Sequence, residues 1–122
     1  MPFTIRGPAL LHDGRPLRLR GVSLGGWLMW ESYMNGIPGV EQHQREAMAE
    51  ILGPGRSAAF WQAWEDSYTG PDDLAWLAGQ GFNLLRLPLN WRLFTDDPGT
   101  GRSRTRGFAL VERLLDQAAA HG

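Results

Sequence analysis

An arginine set inside an apolar strand pattern is the first candidate for chemistry in this sequence. Arg86 lies in Gly81-Phe82-Asn83-Leu84-Leu85-Arg86-Leu87-Pro88, where strand alternation puts Leu84 and Arg86 on one face. Arginine is rarely placed among apolar neighbours without a reason, and a guanidinium favours the charged form of a carboxylate brought beside it. The plainer alternative is a surface charge just before a turn. Glu31 comes shortly after Leu24-Gly25-Gly26-Trp27-Leu28, either as an acceptor for hydroxyl groups or as a solvated loop acid. Trp30 and Trp91 offer flat apolar faces with one polar handle each. Trp27 reads as core, as do Trp61, Trp64 and Trp76 at their helical spacing.

These side chains need elements to hold them. Residues 3–11 and 16–24 read as two strands around His12-Asp13-Gly14-Arg15, a strong hairpin turn signal. Gly21-Val22-Ser23-Leu24 loses the apolar–polar alternation and is expected to be buried on both faces, as a parallel strand is. An aromatic-rich connection follows, from Trp27 to about Pro38. Helices are expected over 41–52, stopped by Gly53-Pro54-Gly55, and from an N-cap at Ser57 to about Tyr68. A third opens at Gly70-Pro71-Asp72-Asp73 and ends at Gly81. A second strand spans 82–88. After a polar loop over 95–107, a last helix over about 108–120 puts Phe108, Val111, Leu114, Leu115 and Ala118 on one face. A strand–helix–strand order implies a parallel pair. Two such strands leave a long apolar edge, so the organisation is expected to be incomplete.

Composition narrows the classes. The net charge of −1 gives no general attraction to nucleic acid or an acidic membrane, and all 12 basic residues are arginine. With no cysteine, disulfides and thiolate metal sites are excluded. His12, His43 and His121 are too scattered to suggest a metal site. Arg102, Arg104 and Arg106 read as a solvated loop rather than a phosphate site. There is no apolar run of membrane length and no basic-then-apolar start, so the expected location is cytoplasmic, or secreted should the true start lie elsewhere.

Leu19-Arg20-Gly21-Val22-Ser23-Leu24-Gly25-Gly26-Trp27-Leu28 with the later Glu31 resembles the opening of glycoside hydrolase family 5, nearest its exo-β-1,3-glucanase-like branch. Phe60-Trp61, Asp73, the segment Gly81 to Pro88, and Trp91 follow in the family's order, so the resemblance covers nearly the whole chain. It implies α/β architecture: the N-terminal portion of a (β/α)8 TIM barrel, preceded by a β-hairpin, with residues 1–122 making an incomplete catalytic domain. It also implies a retaining mechanism with two glutamates about 5–5.5 Å apart, which in the family follow the fourth and seventh strands. No residue of this chain matches either one, so the chain alone is expected to be inactive. Arg86 matches the family arginine that supports the nucleophile. Glu31 matches a residue that binds sugar hydroxyls, and Trp30 and Trp91 are candidate walls for the sugar. The implied partner is a carbohydrate substrate, with no cofactor, metal, nucleic acid or membrane, and the oligomeric state stays open. Two other readings remain open: a non-catalytic carbohydrate-binding or interaction module, and a truncated product with no function of its own.

Overall fold

The computed structural model describes residues 3–97 and 99–121. The chain opens with three short antiparallel strands, β1 (Phe3–Arg6), β2 (Ala9–His12) and β3 (Arg15–Pro16), joined in that order. The Asp13-Gly14 turn forms as its residue types require, with both residues at positive φ (49 and 76) and His12 paired with Arg15. The expected single strand over 3–11 is instead broken. Gly7, at φ 57, and Pro8 make a second two-residue turn, pairing Arg6 with Ala9.

The second sheet is a parallel pair, β4 (Gly21–Ser23) and β5 (Leu84–Arg86), with Gly21 opposite Leu84, Val22 opposite Leu85 and Ser23 opposite Arg86. Just before it, Asn83 does the work of a ladder with its side chain. Its Oδ1 accepts from the Arg20 amide at 2.8 Å and its Nδ2 donates to the Arg18 carbonyl at 3.0 Å. The backbone over 17–20 is thereby tied to β5 without forming a strand of its own.

Between the two strands run α1 (Ser32–Asn35), α2 (Glu41–Leu52), α3 (Pro54–Ser67) and α4 (Pro71–Gly79); after β5 come a 3₁₀ turn (Trp91–Leu93) and α5 (Thr105–Ala119). The Gly53-Pro54-Gly55 stop is also a start. Gly53 ends α2, and Pro54 is the first residue of α3, where its missing N–H costs nothing, so Ser57 lies buried inside the helix rather than at its cap. Helix α4 ends as expected at Gly81 (φ 79): the Gly81 amide reaches the Ala78 carbonyl and the Phe82 amide the Leu77 carbonyl, at 2.9 and 3.2 Å.

The core gathers Trp27, Leu28, Leu74, Leu93, Leu110 and Leu114, with Leu24, Trp64, Tyr68, Leu77, Leu85 and Leu87 packed against it. Helices therefore cover one face of the parallel pair. The other face carries Gly21, Ser23, Leu84 and Arg86, all exposed. Burial on both faces of β4, expected from its sequence, is not found, because among the described residues nothing lies over that second face. Trp76 is likewise 63% exposed, since α4 turns Leu74 inward and the indole outward.

Helix α5 starts three residues earlier than expected, and its buried stripe is rotated. Gly107, Leu110 and Leu114 face in, while Phe108 and Leu115 are exposed. Gly107 sets this phase, because a Cβ there would lie 2.3 Å from the Leu93 carbonyl oxygen. Leu115, Val111 and Ala118 instead border an apolar cleft of about 440 Å³, whose opposite wall is Leu84, Leu87 and Leu89.

Two glycine substitutions should act with opposite signs. Gly107→Ala is expected to destabilise the chain by about 1–2 kcal/mol, the clash with Leu93 exceeding the gain in helix propensity. Gly79→Ala, with open space around the added carbon, should stabilise by up to about 1 kcal/mol. Denaturant midpoints measure both, and equal effects would refute the assigned phase of α5.

Candidate functional site

Parallel strands present the groups that follow their C-terminal ends at one rim of the sheet. Here those ends are Ser23 and Arg86. Being opposite in register, they meet through a hydrogen bond from Arg86 Nη1 to Ser23 Oγ at 3.1 Å. The Leu24 amide then bonds the Arg86 carbonyl at 2.9 Å, and the chain turns through Gly25-Gly26.

Those two glycines make room for a carboxylate. Glu31 folds back so that Oε2 accepts from the Gly26 amide at 2.8 Å. A Cβ on Gly25 would sit 2.5 Å from that same oxygen, so a larger residue would expel the carboxylate. The Gly25 carbonyl is fixed from below by the Tyr68 hydroxyl at 3.0 Å. Glu31 also starts the single turn α1: its carbonyl accepts from the amides of Met34 and Asn35 and from Asn35 Nδ2 at 3.0 Å. Both its side chain and its backbone are held.

Its other oxygen, Oε1, accepts from the Tyr33 hydroxyl at 3.1 Å. That hydrogen bond, and then the carboxylate's charge, raise the Tyr33 pKa above its ordinary 10.0, while the Arg86 guanidinium works in the opposite direction. Arg86, Glu31 and Tyr33 therefore feel one another at a single polar rim. Tyr33 is 78% exposed, and sequence reading did not single it out; a hydroxyl-bearing ring two residues beyond Glu31 was the available signal.

The two tryptophans sit differently. Trp30 is wedged among rings, edge-on to Trp61 at 5.0 Å and tilted against Trp64 at 4.8 Å. Trp91 is 47% exposed on the loop after β5, with the Arg92 guanidinium 5.0 Å from its ring centre. It borders a cavity of about 270 Å³ shared with Arg45, Glu65, Arg104 and Arg106. Of the three loop arginines, Arg104 pairs with Asp96, and Arg106 with Glu65 and Asp66. The first pair closes the loop on itself, and the Arg106 pairs tie the first turn of α5 to α3, so Arg106 lies in a helix and not in the expected solvated loop. Burial works against the Arg106 charge, but the bond to Glu65 and the charges of Glu65 and Asp66 outweigh it and hold the pKa above its ordinary value. Among the described residues no helix is long and apolar enough to cross a membrane.

The tyrosine contact is directly measurable, because the chain has only two tyrosines. In Tyr68→Phe, the tyrosinate absorbance should titrate above pH 10. Adding Glu31→Gln should lower that midpoint, and adding Arg86→Gln should raise it further, since a positive charge favours phenolate. An unmoved midpoint in the Glu31 variant would remove the contact.

No family model matches the chain. It is similar to a beta-xylosidase of Phanerodontia chrysosporium, 36% identical over 110 residues, which are 90% of this chain and 23% of that protein. It is also similar to glucan 1,3-beta-glucosidase I/II of Saccharomyces cerevisiae, 32% identical over 123 residues, covering 86% of this chain and 25% of the relative. The sporulation-specific glucan 1,3-beta-glucosidase of the same yeast is 31% identical over 120 residues, 86% of this chain and 26% of its own length. The chain thus spans about a quarter of the curated relatives it matches, and those relatives are glycosidases.

Proposed function

We propose that the protein carrying this chain is a retaining glycoside hydrolase of family 5 type acting on a β-linked glucan or glucoside. On this reading residues 1–122 supply the hairpin and the first two strand–helix units of a (β/α)8 barrel. The observation that carries it is the rim of Ser23, Arg86, Glu31 and Tyr33 at the C-terminal ends of two parallel strands. Active sites of such barrels lie at that end. Similarity to glycosidases along most of the chain supports the reaction class.

The rim's unused bonding capacity suits a sugar. Each oxygen of Glu31 accepts one hydrogen bond from the protein and has a lone pair left for a sugar hydroxyl. The Tyr33 oxygen can accept from a second hydroxyl. Arg86 has five N–H donors and spends one on Ser23. The rest can hold a nucleophilic glutamate from elsewhere in the protein in its charged state. Trp91 offers an exposed ring on the loop that follows β5, and Trp30 packs in the aromatic cluster next to Glu31 in the chain. The bare face of β4 and β5 and the apolar cleft along β5 support the barrel reading, since further strands of the same protein would cover both.

Arg86→Ala in the intact protein should lower kcat/KM on an aryl β-glucoside by about a hundredfold, the scale of losing one group that stabilises charge at the reacting centre. Proton NMR of the first-formed sugar should show retained anomeric configuration. Residues 1–122 alone should give no turnover. Undiminished activity in Arg86→Ala, or inverted product, would overturn the assignment.

A further inference from the structure

A buried carboxylate outside the rim connects the two loops that carry it. Glu41 begins α2 and is 8% exposed. Its Oε2 accepts from the Trp30 amide at 3.0 Å and from Asn90 Nδ2 at 2.6 Å, while Oε1 accepts from Arg45 Nε at 2.7 Å. Trp30 is bonded directly to Glu31, and Asn90 to Trp91. The loop after β4 and the loop after β5 are therefore held at one oxygen, Oε2, while Arg45 steadies the other. The Asn90 amide also reaches the Leu28 carbonyl at 3.0 Å, and Asn90 Oδ1 caps the turn of Trp91 through the Arg92 amide at 3.1 Å. Arg45 is braced in turn, stacked 4.0 Å over the Trp61 ring.

We infer that Glu41 is a positioning residue for sugar recognition: it sets the distance between Glu31 and Trp91 by binding the backbone beside one and the side chain beside the other. The inference rests on the functional reading above. Three donors converge on Glu41, and only a carboxylate can accept from all of them. A glutamine of equal volume can keep its one oxygen on Trp30 and Asn90 and lose only Arg45, so it is removal of both oxygens, as in Glu41→Ala, that releases the two loops. A purely structural role would have the carboxylate stabilise the core without affecting how sugar is held.

A double-mutant cycle in the intact protein separates the two, using laminaribiose, a β-1,3-linked glucose disaccharide, as substrate. Glu41→Ala should raise KM about fivefold or more and leave kcat within about twofold, as expected when a group acts on binding alone. In a Glu31→Ala background the same change should cost about twofold, the part carried by Trp91, because residues acting through one another are not additive. Equal effects in both backgrounds, or a lowered unfolding midpoint with KM unchanged, overturn the proposal. Should the unaltered protein act on neither laminaribiose nor an aryl β-glucoside, the functional reading fails, and NMR decides the positioning role by itself. Glu41→Ala should shift the amide signals of Glu31 and Tyr33 and the Trp91 indole signal, with those of the β1–β2 hairpin unchanged. Unmoved rim signals overturn it.

Discussion

Two largely buried carboxylates organise much of this structure. Glu41 and Glu65 are 8% and 7% exposed, and an ionised group so deep is tolerated only when donors surround it. Arg45 reaches Glu41 at 2.7 Å and Glu65 at 3.7 Å, and Arg106 reaches Glu65 at 2.8 Å. The Arg45 guanidinium also lies flat on Trp61, a placement suited to a planar, weakly hydrated cation. From that need for donors follow the docking of α2 on α3, the anchoring of the first turn of α5, and the approach of the two post-strand loops. Each carboxylate has more than one donor, so losing one arginine weakens its compensation without abolishing it. The network fixes an arrangement more than it adds net stability.

The fold was legible in the sequence wherever the signal was local. Asp13-Gly14 specified its hairpin, and Gly81 ended α4 through its own positive φ. Gly7-Pro8 was just as local and was overlooked because apolar residues on both sides read as one continuous strand. Less local signals misled. Phe108 and Leu115 looked like part of the core stripe of α5, but the close approach of Leu93 to Gly107 rotates that helix. Periodicity cannot register a contact made across the fold. Trp76 also departs from expectation: a large apolar ring is expected inside, and here α4 buries Leu74 instead.

The rim was legible by residue type and not by partnership. Arg86 and Glu31 stood out because their chemistry clashed with their surroundings in sequence. Ser23 is 63 positions from the arginine that donates to it, and Glu41 is 49 positions from Asn90. One sequence carries no trace of such pairings. Tyr33 was within reach of the reading, but its value comes from the Glu31 side chain folding back, which depends on the missing Cβ of Gly25.

The location of the rim follows from what the helices leave uncovered. Side chains of a strand alternate between faces, so covering the Leu85 and Leu87 face obliges Arg86 and Ser23 to project from the other one. Had helices packed on both sides, Arg86 would have needed a buried carboxylate within its own layer or would have been excluded from the strand. Instead it is exposed and spends one donor on a serine. The same bare face that leaves Leu84 exposed is therefore what leaves the guanidinium open to solvent beyond its one bond to Ser23. Gly21 contributes here as well. Lacking a side chain, it lets Leu84 lean across the pair, where a Cβ would meet that leucine at 2.9 Å. The apolar bulk of the face thus stays at the N-terminal end of the strands, and the C-terminal end is left polar.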